Sequence, residues 1–402
     1  MLIDGSQGQI WGVCEVCGGH VPAFLELSAD GARLATECSD HGSSRRVVER
    51  DPSYAASAQK VRAQDGAPTR RVQVGTLDFE VRERPSVVVV ELNDDCDVTC
   101  KTCIAGSFEG AGNYKTLESI HGLILAAKNS GASTLMVSGG EPTKHPEVFR
   151  AIQLAYAEGF NHVVLISNGK RLAEEPAFAA ELAAKFPTIE VYLQFDAIDP
   201  GILMDIRGHD FSVTRVAALI ALAINEISTT LVCVVKVGQS MASLGGTVDL
   251  ARRLPNVRGI TLQPIRSSGR HEDEVTSDDS PTVGELVVDL HRQVSDLAPG
   301  AFVPHSLAPE NIAVAFFDKL TGQSRTEARL REIGSDVLLA ADAPANELRL
   351  LIVCYLDQGN FRSDLLAEAP IHVALAPDLV FPLDGSYLLE RPTETPVVLR
   401  AG

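Results

Sequence analysis

The strongest constraint this chain places on its own fold is an alternation, over residues 85–264, of β-branched runs with amphipathic segments of helical length. Residues 86–92 (Ser-Val-Val-Val-Val-Glu-Leu) read as a buried strand, since the apolar run is too short for a helix and rich in valine. Residues 117–130 read as a helix and 134–137 as a second strand ending at Ser138-Gly-Gly-Glu-Pro142. A helix over 146–158 leads to a strand over 162–166 that runs into Ser167-Asn-Gly169. A helix over 174–185 and a strand over 189–195 follow, and 212–226, 229–236, 244–254 and 259–262 continue the pattern. Six strands separated by helices imply a parallel sheet, because parallel neighbours need a crossover. Six units make a partial barrel, and closed eight-stranded barrels are usually larger. The expected class is α/β: a partial (β/α)6 barrel over 85–270, preceded by a small metal knuckle (1–51) and a lead-in (52–84). A C-terminal α+β region over 271–402 follows, beginning with an acidic, Ser-rich loop and a helix over 283–297.

The 402 residues carry a formal charge of −18, which excludes a broad nucleic-acid-binding face, because such a face is basic. Aromatic residues at 5% argue equally against base stacking. The longest apolar stretch, 213–231, is broken by Thr214, Arg215, Asn225 and Glu226, so no membrane span is expected. Residues 1–9 show no leader pattern. The expected location is cytoplasmic, where thiols stay reduced and grouped cysteines bind metal. Six of the eight cysteines fall into two groups.

The first group is Cys14-x2-Cys17 with Cys38-x2-His41, set on either side of a hairpin that turns at Ser28-Ala-Asp-Gly31. Two close pairs of soft ligands suit one tetrahedral ion, Zn2+ or Fe, structural if zinc and a possible electron relay if iron. His20 is an alternative ligand with poorer spacing. A segment this small, with one tryptophan, has little core, so a metal would supply much of its stability.

The second group, Cys96-x3-Cys100-x2-Cys103, follows directly on the first barrel strand. Three thiolates at this spacing can hold three irons of a [4Fe–4S] cubane and leave the fourth iron open. A zinc site or three unrelated thiols is the bland alternative, but zinc takes four protein ligands in a structural site and no fourth lies close.

With Gly139-Gly-Glu141 at the end of the second strand, these residues resemble the radical S-adenosylmethionine (SAM) superfamily. The resemblance implies a radical SAM partial barrel whose open iron is chelated by the SAM amine and carboxylate. An electron from the reduced cluster then splits the sulfonium into methionine and a 5′-deoxyadenosyl radical. It also implies that Gly139, Gly140 and Glu141 contact the methionine part of SAM, the glycines by admitting close backbone approach. Ser167, Asn168, Gln194 and Asp196, at strand ends, fall where the superfamily contacts the SAM carboxylate and ribose. Asp196 is alternatively a helix N-cap. Lys236 and Gln263 end the fifth and sixth strands; the lysine either meets SAM or substrate or snorkels to solvent. Thr102 stands where many members carry an aromatic residue. Cys233 and Cys354 sit in apolar strands and read as core residues.

Tyr192-Leu-Gln-Phe-Asp196, Arg207-Gly208, Val234-Val-Lys236, Val257-Arg-Gly259, Gln263-Pro264 and Gly269-Arg270 look like one branch of that superfamily, with the archaeal tetraether-lipid synthase and the radical SAM pterin methylases. Tyr355, Asp357, Asn360, Phe361 and His372 echo its C-terminal region. The further cluster cysteines of that branch are missing near Ala369, Leu383 and Asp384, and His305 stands where another is expected, so no additional cluster is implied. The resemblance implies an enzyme that abstracts hydrogen from an unactivated C–H bond, for C–C bond formation or methylation of a lipid-like or small-molecule substrate. An external reductant such as flavodoxin or ferredoxin would drive it. Two alternatives stay open. One is dehydrogenation, epimerisation or rearrangement of a natural-product precursor, an epimerase needing Cys233 or Cys354 in the cavity. The other is a metal-binding scaffold or electron carrier without turnover.

Overall fold

A computed structural model describes residues 10–14, 16–17, 20–62, 69–74, 77–82, 87–129, 131–265, 270–271, 275–276, 278–306, 310–333 and 344–355. Asp357, Asn360, Phe361 and His372, and the side chains of His20, His305, Cys354 and Tyr355, lie outside the described residues.

The expected parallel strands form, in sequence order, the heart of one sheet: Val87–Glu91, Thr134–Ser138, His162–Ser167, Glu190–Gln194, Ser228–Val235 and Val257–Pro264. Each pairs parallel with the next. The sheet continues beyond them. Glu347–Tyr355 adds a seventh parallel strand beside Val257–Pro264, and Glu310–Asp318 and Val303–Ser306 extend it antiparallel. The C-terminal strands therefore widen the barrel wall.

Strand alternation divides the core in two. One face of each strand (Val88, Val90, Leu135, Val137, Val163, Leu165, Leu231 and Cys233 among others) packs under the helices. The other face, with Val89, Met136, Val164, Tyr192, Val232, Leu351 and Val353, fills the barrel interior together with Ile312, Val314 and Phe316. Its lower layer is polar: Arg349, fully buried, donates to Tyr192 Oη at 3.0 Å, and Thr230 Oγ1 donates to Glu190 at 2.6 Å. Buried polar groups survive only when paired in this way.

Several helices escaped the sequence reading, among them the one that bears on the site. Pro200–Arg207 has Asp199 as N-cap, accepting from the Gly201 and Ile202 amides, proline at its first turn, and Gly208 in the left-handed conformation at its end. Those start and stop signals are present in Asp199-Pro200 and Gly208.

The N-terminal part is a four-stranded antiparallel sheet in sequence order, Ile10–Val13, His20–Ser28, Gly31–Cys38 and Gly42–Glu49, followed by the helix Pro52–Arg62. The lead-in also contains a two-stranded hairpin, Thr69–Val74 with Leu77–Arg82. The N-terminal sheet is fixed to the barrel through Glu49. Its buried carboxylate accepts from Thr282 Oγ1 at 2.7 Å and from the Gly284 amide at 3.0 Å, at the start of the helix Val283–Gln293. Arg50 adds a 2.9 Å ion pair with Glu285, and Tyr54 Oη donates to the Ile312 carbonyl. Among the described residues no helix is long and apolar enough to cross a membrane.

Candidate active site

The loop carrying Cys96, Cys100 and Cys103 leaves the first strand at the C-terminal end of the parallel sheet, where βα proteins gather their chemistry. Two very short strand pairs shape it: Asp95–Cys96 with Phe108–Glu109, and Thr102–Cys103 with Arg270–His271. Such a loop has many carbonyls and little ladder to satisfy them, so side chains must do so. Lys144 donates to the Cys96 carbonyl (3.0 Å), Lys170 to Asp97 (3.2 Å) and Arg207 to Thr102 (3.2 Å). Arg270 alone reaches three, those of Cys100, Gly106 and Ser107. The donors are cationic, and Arg207 and Arg215 put positive charge near Cys100, whereas Cys96 faces the carboxylates of Glu141 and Asp97.

Gly139 and Gly140 press against this loop. A Cβ on Gly140 would stand 2.3 Å from the Asp95 carbonyl oxygen, and one on Gly139, whose φ is +144°, 2.5 Å from that of Asn93. The amides of Gly140 and Glu141 donate to those same two carbonyls. The glycine pair therefore has a packing reason of its own: the second strand's end and the cluster loop lie backbone to backbone.

Glu141 is buried and fully engaged. Its carboxylate accepts from Thr143 N and Oγ1, Ser167 Oγ (2.9 Å) and the Asn168 amide (2.7 Å), and burial pushes it up to about 6 against those donors. Asn168 turns its side-chain amide to Asp97 Oδ1 at 2.7 Å, with Cys96 Sγ 3.9 Å away. Glu141, Ser167 and Asn168 thus form one polar strut from the second and third strands to the first cysteine.

A second strut comes from the fourth strand. Asp196 has φ +59°, a conformation aspartate tolerates better than most residues, and its side chain is fully buried. Arg207 meets it with two parallel 2.8 Å hydrogen bonds, and the Gln194 side chain and Val234 amide donate to Oδ1 as well. Burial would raise this carboxyl, but Arg207 outweighs it and holds it below the usual range. The N-cap of the next helix is Asp199, so the capping alternative for Asp196 does not hold. Arg207 also accepts, through its carbonyl, the Lys101 amide, tying the loop to the end of the helix Pro200–Arg207.

Lys236 forms a 3.1 Å ion pair with Asp205 at the partly exposed rim. Gln263 lies level with Val234 on the sixth strand, half-buried on the interior side. Cys233 points the other way, into the core beneath the helices, where burial raises its thiol strongly. It does not face the interior, so it is not available as a hydrogen donor there.

Sequence reasoning missed three supports of the first cysteine. Asp95 accepts from the Gly110 amide, Tyr114 Oη (2.5 Å) and Lys144 (2.6 Å). Burial alone would raise its carboxyl, but these donors hold it at about 2. The aspartate next to Cys96 was the only signal in the sequence, since Tyr114 and Lys144 arrive from other elements.

Burial pushes the Cys96 thiol up to about 12 and raises Cys100 as well, the latter partly offset by Arg207 and Arg215. The three thiols sense one another's charge but are not drawn within 4.8 Å of each other, as the ligands of a single ion are. Any metal core they bind must displace the thiol protons. The knuckle is the opposite case. Ligand atoms of Cys14, Cys17, Cys38 and His41 all lie within 4.8 Å of one another, with Cys38 Sγ 3.4 Å from His41 Nδ1. Hydrogen bonds from the Cys17 and Val16 amides lower the Cys14 thiol to about 6, toward the thiolate a metal needs.

The sequence profile of the Radical SAM superfamily matches residues 90–251, from the end of the first strand through the helix Leu244–Arg253. The likeness to that superfamily therefore lies in the barrel segment, less than half of the 402 residues. Among its relatives is the 7,8-dihydro-6-hydroxymethylpterin dimethyltransferase of Methanocaldococcus jannaschii, 23% identical over 332 residues, which are 78% of this chain and 64% of the relative. A GTP 3′,8-cyclase from Actinobacillus succinogenes is 25% identical over 125 residues, 30% of this chain and 36% of the cyclase. The chain thus matches less than two thirds of either relative's length. A crystal structure of a radical SAM methyltransferase from Sphaerobacter thermophilus superposes with TM-score 0.39 at 14% identity, over 68% of this chain and 75% of that one.

Proposed function

We propose that Cys96, Cys100 and Cys103 hold a [4Fe–4S] cluster, and that the enzyme abstracts hydrogen from an unactivated C–H bond to methylate a small-molecule or lipid-like substrate or to join carbon to carbon. The observation that carries this reading is the loop itself: one buried and two half-buried thiols at the mouth of a parallel barrel, on a loop whose carbonyls are held by cationic donors. Held by these cysteines, a reduced cluster would supply the one electron that breaks the S–C5′ bond of SAM, leaving methionine and a 5′-deoxyadenosyl radical.

The protein's own share is placement and exclusion of water. Lys144, Lys170, Arg207 and Arg270 fix the loop, so the ligand-bearing backbone needs no rearrangement at turnover. Asn168 orients Asp97 beside Cys96. The interior below the site is closed by Val89, Met136, Val164 and Tyr192, which keeps solvent from quenching a radical from beneath. Gln194 and Gln263 leave the rim half-polar, consistent with a substrate of mixed character. The pterin dimethyltransferase among the relatives favours a methyl-transfer outcome. Cys233's position removes one thiol an epimerase would need. We read the knuckle as a structural Zn2+ site, with Fe as the alternative, and the reductant as an external flavodoxin or ferredoxin.

The test is anaerobic incubation of reconstituted, reduced protein with SAM labelled in its methyl group. The expected result is 5′-deoxyadenosine, with label passing into a product once substrate is supplied. Zinc in the loop, or a cluster whose spectrum ignores SAM, overturns the reading. A cluster present with no 5′-deoxyadenosine favours the scaffold or electron-carrier reading instead.

A further inference from the structure

Behind the cluster loop two arginines share one carboxylate. Arg207 is satisfied: both ends of its guanidinium bond Asp196, and a third nitrogen reaches the Thr102 carbonyl. Arg215, from the helix Ser212–Ile224, is 2% exposed, yet its closest approach to Asp196 is 3.9 Å. One of its nitrogens donates to the Asn168 carbonyl, its carbon stands 5.0 Å from the Phe211 ring, and Nε has no partner. Glu141 is the other anion within its electrostatic reach, and that carboxylate is already held by Thr143, Ser167 and Asn168. A buried cation whose ion pair is long and shared with a second guanidinium is expensive unless another anion helps to supply the balance. The groups whose charge Arg207 and Arg215 sense, besides Asp196 and Glu141, are Cys100 and Cys103.

We propose that Arg215 is the built-in counter-charge of the metal cluster, and that the Asp196–Arg207 clamp positions the loop against it so that this excess charge favours the reduced, more negative state. This rests on the [4Fe–4S] reading of the loop given above. The logic is one of charge. Three thiolates outweigh the positive charge of an oxidised cubane, and the electron it accepts makes the assembly more negative still. A fixed cation in a dry site stabilises the reduced form more than the oxidised one, and raises the potential. Asp196 works in the opposite sense, cancelling one of the two guanidinium charges. Both residues are positioning and tuning groups; neither is assigned a bond to substrate.

The sign difference makes the idea testable apart from any structural role. The experiment is a mediator-based redox titration of the reconstituted protein without SAM, followed by electron paramagnetic resonance, with iron and sulfide assayed on each sample. Arg215→Gln is expected to lower the ratio of reduced to oxidised cluster at fixed potential at least tenfold, which for one electron is about 59 mV. Arg215→Lys should recover most of that loss. Asp196→Asn is expected to shift the ratio the other way, toward the reduced form. Shifts of the same sign in Arg215→Gln and Asp196→Asn, or none in a variant with full iron content, overturn the proposal. So does an unmoved potential with weakened SAM binding in Arg215→Gln, which would assign the charge to the SAM carboxylate. If Arg215→Gln fails to take up iron, the opposite shifts expected for Arg215→Lys (slightly down) and Asp196→Asn (up) decide the matter. Wild-type protein that takes up no cluster refutes the reading of the loop itself, a separate result.

Discussion

The two cysteine-rich regions of this molecule solve opposite problems. In the knuckle, four ligands from two hairpin ends converge within 4.8 Å, with Cys17 and His41 exposed. In the barrel loop three thiols are buried or half-buried, kept apart, and surrounded by Lys144, Lys170, Arg207 and Arg270 bonded to the loop's carbonyls. The first geometry closes around one ion and leaves nothing over. On the reading proposed above, the second is a frame for a larger, negatively charged occupant with a free position. Closure serves stability; the incomplete ligand set is what chemistry requires.

The comparison breaks most sharply at the ligands. Cys100→Ser is expected to abolish 5′-deoxyadenosine formation, about a thousandfold or more, because an activated group lost outright leaves little residual rate. Metal analysis should show the knuckle ion retained in that variant. Cys38→Ser should do the reverse, removing much of the roughly 10–16 kcal/mol that a structural zinc gives a small domain. Calorimetry should then show the N-terminal transition lowered, while the barrel keeps its cluster iron; loss of both together would mean the two sites are not independent.

Gly140→Ala tests whether the glycine pair serves the loop. Its Cβ meets backbone, which cannot swing aside, so a loss of about 1–3 kcal/mol in denaturant unfolding is expected, with poorer iron uptake. A variant as stable as wild type would show that the two backbones have room to part.

Glu141 sharpens the comparison through pH. Its folded carboxyl is raised to about 6, from an ordinary value of 4.5, by burial. Between these values the native state keeps a proton that the unfolded chain sheds, so stability is highest below pH 4.5 for this group and falls as pH rises through 6, by about 2 kcal/mol. Glu141→Gln should flatten that slope in a pH series of unfolding curves. Smallest of all, Lys236→Ala removes a rim ion pair with Asp205 and should change stability by less than about 1 kcal/mol. A large fall in SAM affinity in that variant would show that the lysine leaves Asp205 to meet the cofactor.

Much of the barrel was legible because each strand carries a β-branched run and each helix a repeating apolar face, signals that survive without knowledge of neighbours. The knuckle hairpin was legible for a similar reason: Ser28-Ala-Asp-Gly31 marks the turn and the ligand pairs flank it. What remained hidden was relational. The seventh parallel strand, Glu347–Tyr355, looks like any apolar run until it is seen beside Val257–Pro264. Asp196 was picked out by position, but its partner Arg207 sits on the helix the reading passed over, and Arg215 looked like an interruption in an apolar stretch. The glycine pair was assigned to cofactor approach because sequence gives no view of the loop it touches.

Glu49 caps a helix some 230 residues away, and the capped amide belongs to Gly284, where any side chain would strike Glu49 or Asp51. The metal-binding sheet is consequently not a removable appendage. Trimming it would strip the helix Val283–Gln293 of an acceptor for its leading amides and expose Ile312's carbonyl, so a shortened protein beginning near residue 85 should express poorly even though every barrel strand is present.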